Sequence, residues 1–218
     1  MEPQFWRERW ARKEIGFHQP QVNALLTEFW PPFSAGIVQT GSVLVPLCGK
    51  TLDMVWLHDQ GHSIVGIELS VDALRDFFSE QALSFASRKS AGFECFDSDG
   101  YRLLAGNFFD LTAQQIGPVK AVYDRAALIA LPEAMQADYA RHLLQILPQR
   151  PPVFLITLEY DQAEMNGPPF AVSEQRVRAL FGAVYVVDVL SARDVLDDNP
   201  AFQKRGLTHL VEKVYWLR

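Results

Sequence analysis

Two apolar runs separated by a tight turn and a helix constrain this chain more than any other feature. Val43-Leu-Val-Pro-Leu-Cys-Gly-Lys-Thr-Leu-Asp-Met54 reads as a buried strand, a turn and the start of a helix. Gly66-Ile-Glu-Leu-Ser70 reads as a second strand that ends on a lone carboxylate, Glu68, nineteen positions after Gly49. A nucleoside-binding sheet has this spacing: the turn brings backbone close to a ligand, and an acid at the tip of the next strand accepts hydrogen bonds from two ribose hydroxyls. On these residues alone the pattern is also compatible with an ordinary turn and an exposed strand end.

The details of the turn separate the nucleosides. A phosphate-binding loop needs a glycine five residues before Gly49-Lys50-Thr51, but position 44 is Leu, which argues against ATP and GTP. A dinucleotide site needs G-x-G-x-x-G so that a pyrophosphate can approach the helix N-terminus. Here Gly49 follows Pro46, Leu47 and Cys48. A ligand without phosphates fits better. S-adenosylmethionine offers a ribose, an adenine and a small zwitterion, and requires no anion cradle.

Bulk properties narrow the class. A length of 218 residues suits one α/β domain, here expected as an N-terminal helical cover (1–36) on a sheet core (37–218). The formal charge of −6 argues against a nucleic-acid surface. The basic cluster Arg7, Arg9, Arg12 and Lys13 is interspersed with Glu8 and Glu14 and reads as a solvated helix face. The two cysteines, Cys48 and Cys95, have no metal-ligand spacing, and no metal is expected. No signal-peptide pattern and no membrane-length apolar run are evident, so a cytoplasmic setting without a membrane partner is expected, and a monomer.

Along the chain, Val22, Leu25, Leu26, Phe29 and Trp30 follow helical spacing, with a stop expected at Pro31-Pro32. Parallel strands are predicted at Val43 to Pro46, Ser63 to Glu68, Tyr101 to Ala105, Ala121 to Asp124 and Val153 to Thr157, with helices between them. Ser70 is a predicted N-cap, and Pro132 a predicted first helical residue. Val184 to Leu190 and Thr208 to Leu217 read as two more strands with no adequate crossover helix between them, so they must be antiparallel. The fold class is therefore α/β, a seven-stranded mixed sheet in the class I S-adenosylmethionine-dependent methyltransferase layout, with an N-terminal helical extension. The polar stretch Ser191 to Gly206 is a candidate lid.

Ligands in open α/β sheets sit at the carboxyl ends of strands. Those ends carry Leu47 and Gly49, Glu68, then Asn107, Phe108 and Asp110, then Asp124 and Arg125. Phe108 can cover an adenine face while Asn107 reads its edge. Asp110 is equally a cap for the following helix. A fixed guanidinium at Arg125 can contact the cofactor or attract an anionic substrate, or it can pair with Asp124 or Glu159.

Together these residues resemble a known family. Trp6 and Trp10, Gly16-Phe-His-Gln19, Val45-Pro-Leu-Cys-Gly-Lys50, Gly61-His-Ser-Ile-Val-Gly-Ile-Glu-Leu-Ser70, Phe109-Asp-Leu111, Asp124-Arg-Ala-Ala-Leu128, Gly167-Pro-Pro-Phe170 and Glu212-Lys213 resemble thiopurine S-methyltransferase, most closely its bacterial members. The resemblance spans almost the whole chain. It implies transfer of a methyl group from S-adenosylmethionine to the sulfur of thiopurines and related aromatic or heterocyclic thiols, with small-molecule partners alone. It further implies that Trp10, Leu47, Gly49, Glu68, Asn107, Phe108 and Arg125 bind the cofactor. Phe17, His18 and Arg125 would border the acceptor, with Arg125 the catalytic group. Bacterial members are associated with selenium and tellurium species and tellurite resistance. Animal members place a second arginine before the last strand, where this chain has Pro200-Ala-Phe-Gln-Lys-Arg-Gly206 with Lys204 and Arg205 displaced in register.

Overall fold

The apolar strand segments assemble as their patterning requires. A computed structural model describes residues 3–16, 18–35 and 41–218, and the chain forms two compact units, Met1–Tyr123 and Asp124–Arg218.

The first unit contains α1 (Pro3–Ala11), α2 (Ala24–Ser34), β1 (Ser42–Pro46), α3 (Asp53–Asp59), β2 (Ser63–Glu68), α4 (Val71–Glu80), β3 (Ala86–Ser90), β4 (Phe93–Ser98), β5 (Tyr101–Ala105), α5 (Ala113–Ile116) and most of β6 (Val119–Arg125). Its strands lie in the order β3-β4-β5-β2-β1-β6. β1 pairs in parallel with β2 and β6, and β2 pairs in parallel with β5. β1 and β2 are buried almost throughout, as expected of parallel strands covered on both faces. Parallel register puts the carboxyl ends of β1, β2 and β5 at one edge, so Leu47, Glu68 and Asn107 become neighbours.

The second unit continues from the end of β6 into α6 (Glu133–Ile146), β7 (Val153–Glu159), α7 (Glu174–Phe181), β8 (Val187–Asp194), α8 (Pro200–Lys204) and β9 (Val211–Leu217). β9 pairs antiparallel with both β7 and β8, in the order β7-β9-β8. The antiparallel ending inferred from the missing crossover helix is therefore present.

Nine strands are counted among the described residues rather than seven. The two extra ones, β3 and β4, form an antiparallel meander with β5. Their turns are two-residue hairpins. Ala91 (φ 48°) and Gly92 (φ 87°) join Ser90 to Phe93, and Asp99-Gly100, with Gly100 at φ 74°, joins Ser98 to Tyr101. Asp-Gly between alternating residues is a strong hairpin signal, and here the glycine alone supplies the positive φ. Phe93 and Cys95 are buried on one face of β4 and Phe96 on the other, while β3 is exposed along its whole length.

Three other expectations are corrected. The helix expected to stop at Pro31-Pro32 continues to Ser34, carrying both prolines inside. Buried Leu25, Leu26, Trp30 and Phe33 extend its apolar face across them, each contributing about 1.5–3 kcal/mol, enough to offset two lost backbone donors. The start is fixed by Asn23, whose side chain accepts from the amides of Leu25 and Leu26. The stretch Ser191 to Gly206 is not an open loop: β8 runs to Asp194, and α8 occupies Pro200–Lys204. Pro132 is an N-cap rather than a first helical residue. The basic N-terminal cluster is exposed apart from half-buried Arg9, which lies over the Phe5 ring at 4.9 Å.

Two buried polar groups tie α2 to the elements beneath it. Asp53, 1% exposed, accepts from the Asn23 amide at 2.8 Å and from the Tyr123 hydroxyl at 2.9 Å. His62 accepts from the Trp30 indole at 3.3 Å, which requires its Nε2 to be unprotonated. Burial lowers the His62 pKa from 6.5, and a backbone group of Gly41 partly opposes this. The unfolded chain therefore takes up this proton first, so stability from the pair is full above about pH 6.5 and falls as the pH drops towards the folded value. His62→Gln should flatten the acid side of the stability curve. Thermal midpoints at pH 7.5 and 5.5 check this, and an equal acid drop in variant and parent would refute it.

Candidate active site

The turn after β1 is built around positive backbone angles. Leu47 has φ 47° and Gly49 φ 52°. A leucine in the left-handed region costs about 1–2 kcal/mol and persists only where surroundings fix it. Here the Cys48 amide donates to the Ile67 carbonyl at 3.0 Å, pinning the turn to the neighbouring strand. A side chain at Gly49 would meet the Trp10 indole at 3.0 Å, so Trp10 of α1 lies directly against the turn.

Glu68 closes this arrangement. Its Oε2 accepts from the Gly49 amide at 2.9 Å and its Oε1 from the Ser70 amide at 2.8 Å. Burial raises its pKa, and the amides of Ser70, Gly49 and Leu69 pull it back. Each oxygen thus accepts a backbone donor, and the carboxylate retains acceptor capacity for a ligand hydroxyl. Ser70 also caps α4 through the Ala73 amide, as expected.

Asn107 and Phe108 follow β5 beside this carboxylate, since Ala105 pairs with Glu68 and the Gly106 amide donates to the Glu68 carbonyl at 2.8 Å. The Asn107 side chain accepts from the Phe109 amide at 3.2 Å, starting a short 3-10 turn over Phe108–Asp110. Phe108 is buried, with Phe109 edge-on at 5.6 Å. Asp110 does not cap the next helix. Thr112 does so in a capping box with Gln115, because the 3-10 turn displaces the helix start by two residues. The first unit therefore gathers Trp10, Leu47, Gly49, Glu68, Asn107 and Phe108. His18 is half-buried, its amide donating to Ile15. Phe17 lies outside the described residues.

Two residues were not singled out for their role. A side chain at Gly66 would meet Cys48 Sγ at 2.8 Å and Leu103 at 2.7 Å, so a bare backbone in β2 lets the Cys48 turn sit down on the strand. A glycine inside a strand pattern was the available signal. Lys50 is 9% exposed, its ammonium 2.5 Å from Glu80 and 3.9 Å from Asp76. It anchors the turn to α4, so the apparent Gly-Lys-Thr ending serves packing.

In the second unit, Arg125 ends β6 and is followed by Ala126 at φ 64°. Neither anticipated partner takes it. Asp124, 1% exposed, accepts from the Tyr139 hydroxyl at 2.7 Å and the Leu128 amide at 3.2 Å. Glu159 pairs with Lys213 at 2.8 Å. Arg205 donates to the Pro168 carbonyl at 3.3 Å and lies over the Phe202 ring, which fastens the Gly167-Pro-Pro-Phe170 segment. No helix is long and apolar enough to cross a membrane, and no cluster suited to a metal is present, among the described residues.

Solved structures place the fold. The chain is similar to a Burkholderia thailandensis 1,6-didemethyltoxoflavin-N1-methyltransferase with bound S-adenosylhomocysteine: TM-score 0.61, 13% identity, 99% of this chain and 86% of that one. It is also similar to an S-adenosylmethionine-dependent methyltransferase from Anabaena variabilis, with TM-score 0.58, 14% identity, and 99% and 95% coverage. The fold is that of the S-adenosylmethionine-dependent methyltransferases. The family model for thiopurine S-methyltransferase matches residues 1–218. Proteins named thiopurine S-methyltransferase from Methylococcus capsulatus and Pseudomonas fluorescens are 52% and 46% identical, covering 100% of this chain and 98% and 99% of theirs. The chain belongs to the thiopurine S-methyltransferase family, and S-adenosylmethionine is its methyl donor. The turn suits that cofactor: Glu68 keeps acceptor capacity, and Lys50 is committed to α4.

Burial raises the Asp124 pKa to about 6, and its bonds with Tyr139, Leu128 and Ala127 lower it. Ionised Asp124 therefore depends on the Tyr139 hydroxyl more than the neutral acid does. Tyr139→Phe should cost about 1.5–3 kcal/mol at pH 7.5 and clearly less at pH 5. Denaturant titrations at both pH values check this, and a pH-independent loss would count against it.

Proposed function

We propose that this enzyme methylates the sulfur of thiopurines and related aromatic or heterocyclic thiols. The full-length match to the family model and to relatives of that name carries the reading. The bound donor supplies a methyl group already activated on a sulfonium.

Glu68 accepts the two ribose hydroxyls while remaining tied to the Gly49 and Ser70 amides. Leu47 and Gly49 bring bare backbone to the amino-acid end of the donor, and Trp10 shields it from water. Asn107 and Phe108 read and cover the adenine. Phe17 and His18 border the acceptor. Arg125 contacts the cofactor and the acceptor, and its guanidinium favours the thiolate over the thiol. Aromatic thiols are acidic enough to supply thiolate near neutral pH, so no general base is needed. Holding that thiolate in line with the methyl carbon is worth up to about 7–11 kcal/mol in favourable cases.

Charge-assisted bonds to a buried carboxylate contribute about 1.5–3 kcal/mol, so Glu68→Ala should weaken S-adenosylmethionine binding about 10- to 100-fold. Calorimetry on the folded variant checks this, and unchanged affinity would remove Glu68 from the site. Arg125→Ala should lose thiopurine turnover more than cofactor affinity; the reverse order would restrict Arg125 to the cofactor. An acceptor screen with labelled donor over thiopurines, thiophenols and selenium and tellurium oxyanions tests the substrate class. Transfer to the oxyanions but to no thiol would overturn it.

A further inference from the structure

The turn that carries Gly49 is fastened to both ends of one helix. At the start of α4 the Ser70 amide donates to Glu68 Oε1 at 2.8 Å, and the Gly49 amide donates to Oε2 of the same carboxylate at 2.9 Å. At the far end of α4, Glu80 and Asp76 hold the ammonium of Lys50 at 2.5 and 3.9 Å. Lys50 follows Gly49 directly, so the contacts close a ring: Gly49, Glu68, Ser70, the length of α4, Lys50, and back through one peptide bond.

Two observations set the Lys50 contact apart from an ordinary surface ion pair. Asp76 and Glu80 are four residues apart on one helix face and repel each other, and Glu80 occupies the last turn, where the helix end is itself negative. That turn of α4 contains no basic residue, so the helix lacks a cation which the Gly49 turn supplies. Lys50 is also 9% exposed, whereas Asp76 and Glu80 are 55% and 48% exposed at their side chains. An ammonium buried to this extent is costly without its partners, so it holds its place more firmly than an exposed lysine would.

We propose that Lys50 is a positioning residue for the methyl donor: clamped by Glu80 and Asp76, it fixes the Gly49 peptide so that Glu68 keeps the orientation in which it meets the ribose. This rests on the ribose-acceptor reading of Glu68 given above. Lys50 acts through the turn and not on the ligand. Once the clamp is removed, the Gly49 amide drifts from Glu68, and donor binding has to reorder both groups.

Lys50→Met and Glu80→Gln remove the clamp from its two sides, the second at a half-exposed position on α4. Calorimetry on the folded variants should show S-adenosylmethionine affinity about 10-fold weaker in Lys50→Met and about 3-fold weaker in Glu80→Gln, where Asp76 remains. The double variant should bind no more weakly than Lys50→Met alone, and Lys50→Arg should recover part of the affinity. Acceptor KM at saturating donor should stay within about twofold throughout. The Gly49 amide resonance in nitrogen-15-labelled protein should shift, and its proton exchange faster with solvent, in Lys50→Met and in Glu80→Gln. A merely structural role would lower the thermal midpoint and leave donor affinity and the Gly49 resonance in place, and that result overturns the proposal. Lost affinity in Lys50→Met with none in Glu80→Gln also overturns it, because the ammonium would then act on the donor directly. If Glu68→Ala binds the donor as tightly as the parent, the ribose reading fails and the proposal with it, while the Gly49 resonance still reports whether the clamp holds the turn.

Discussion

The Glu68 carboxylate is the point through which the binding edge is assembled. It sits at the end of β2 yet accepts from the amide of Gly49 in the turn after β1 and of Ser70 at the start of α4. Three elements of different sequence position are thereby fixed to one anion. Burial opposes its ionisation and the converging amides favour it. Such a group is costly without partners, so the turn geometry and the acid depend on each other. The positive φ of Leu47 is tolerated for the same reason.

Around that anion, two of the family-specific residues hold the turn. Cys48 is buried over the bare backbone of Gly66, with its thiol pKa pushed up by burial, which makes it a packing group of low reactivity. Lys50 is spent on Glu80 and Asp76. Within the Pro-Leu-Cys-Gly-Lys turn, Cys48 and Lys50 thus each have a distinct structural partner. At the end of β6 the pattern repeats: Arg125 is followed by Ala126 in the left-handed region, and its neighbour Asp124 is locked by Tyr139.

Much of this was legible in the sequence because the parallel strands bury both faces and read as plain apolar runs. The carboxyl-end residues followed from strand order alone, and the antiparallel ending followed from a missing crossover. The β3–β4 hairpin was not read, although Asp99-Gly100 marks it, because β3 has no apolar face to give it a period. Pro31 and Pro32 misled because long-range burial of Trp30 and Phe33 outweighs a local stop signal. The acids anticipated for Arg125 were misjudged for a different reason: Asp124 accepts from Tyr139 and Glu159 pairs with Lys213, partners distant in sequence that no local pattern announces.

The shared acceptor at Asp53 bears on how this chain can change over time. One carboxylate, 1% exposed, receives the amide that opens α2 and the hydroxyl of Tyr123 in β6. The Tyr123 hydroxyl cannot be exchanged for an apolar group without leaving part of a buried acid unmatched, whereas the amide of residue 23 is main chain and is lost only to proline. The second N-terminal helix is therefore not an appendage free to drift at its own rate. Positions 53 and 123, far apart along the chain, are bound to change together, while position 23 constrains its neighbour only through its backbone.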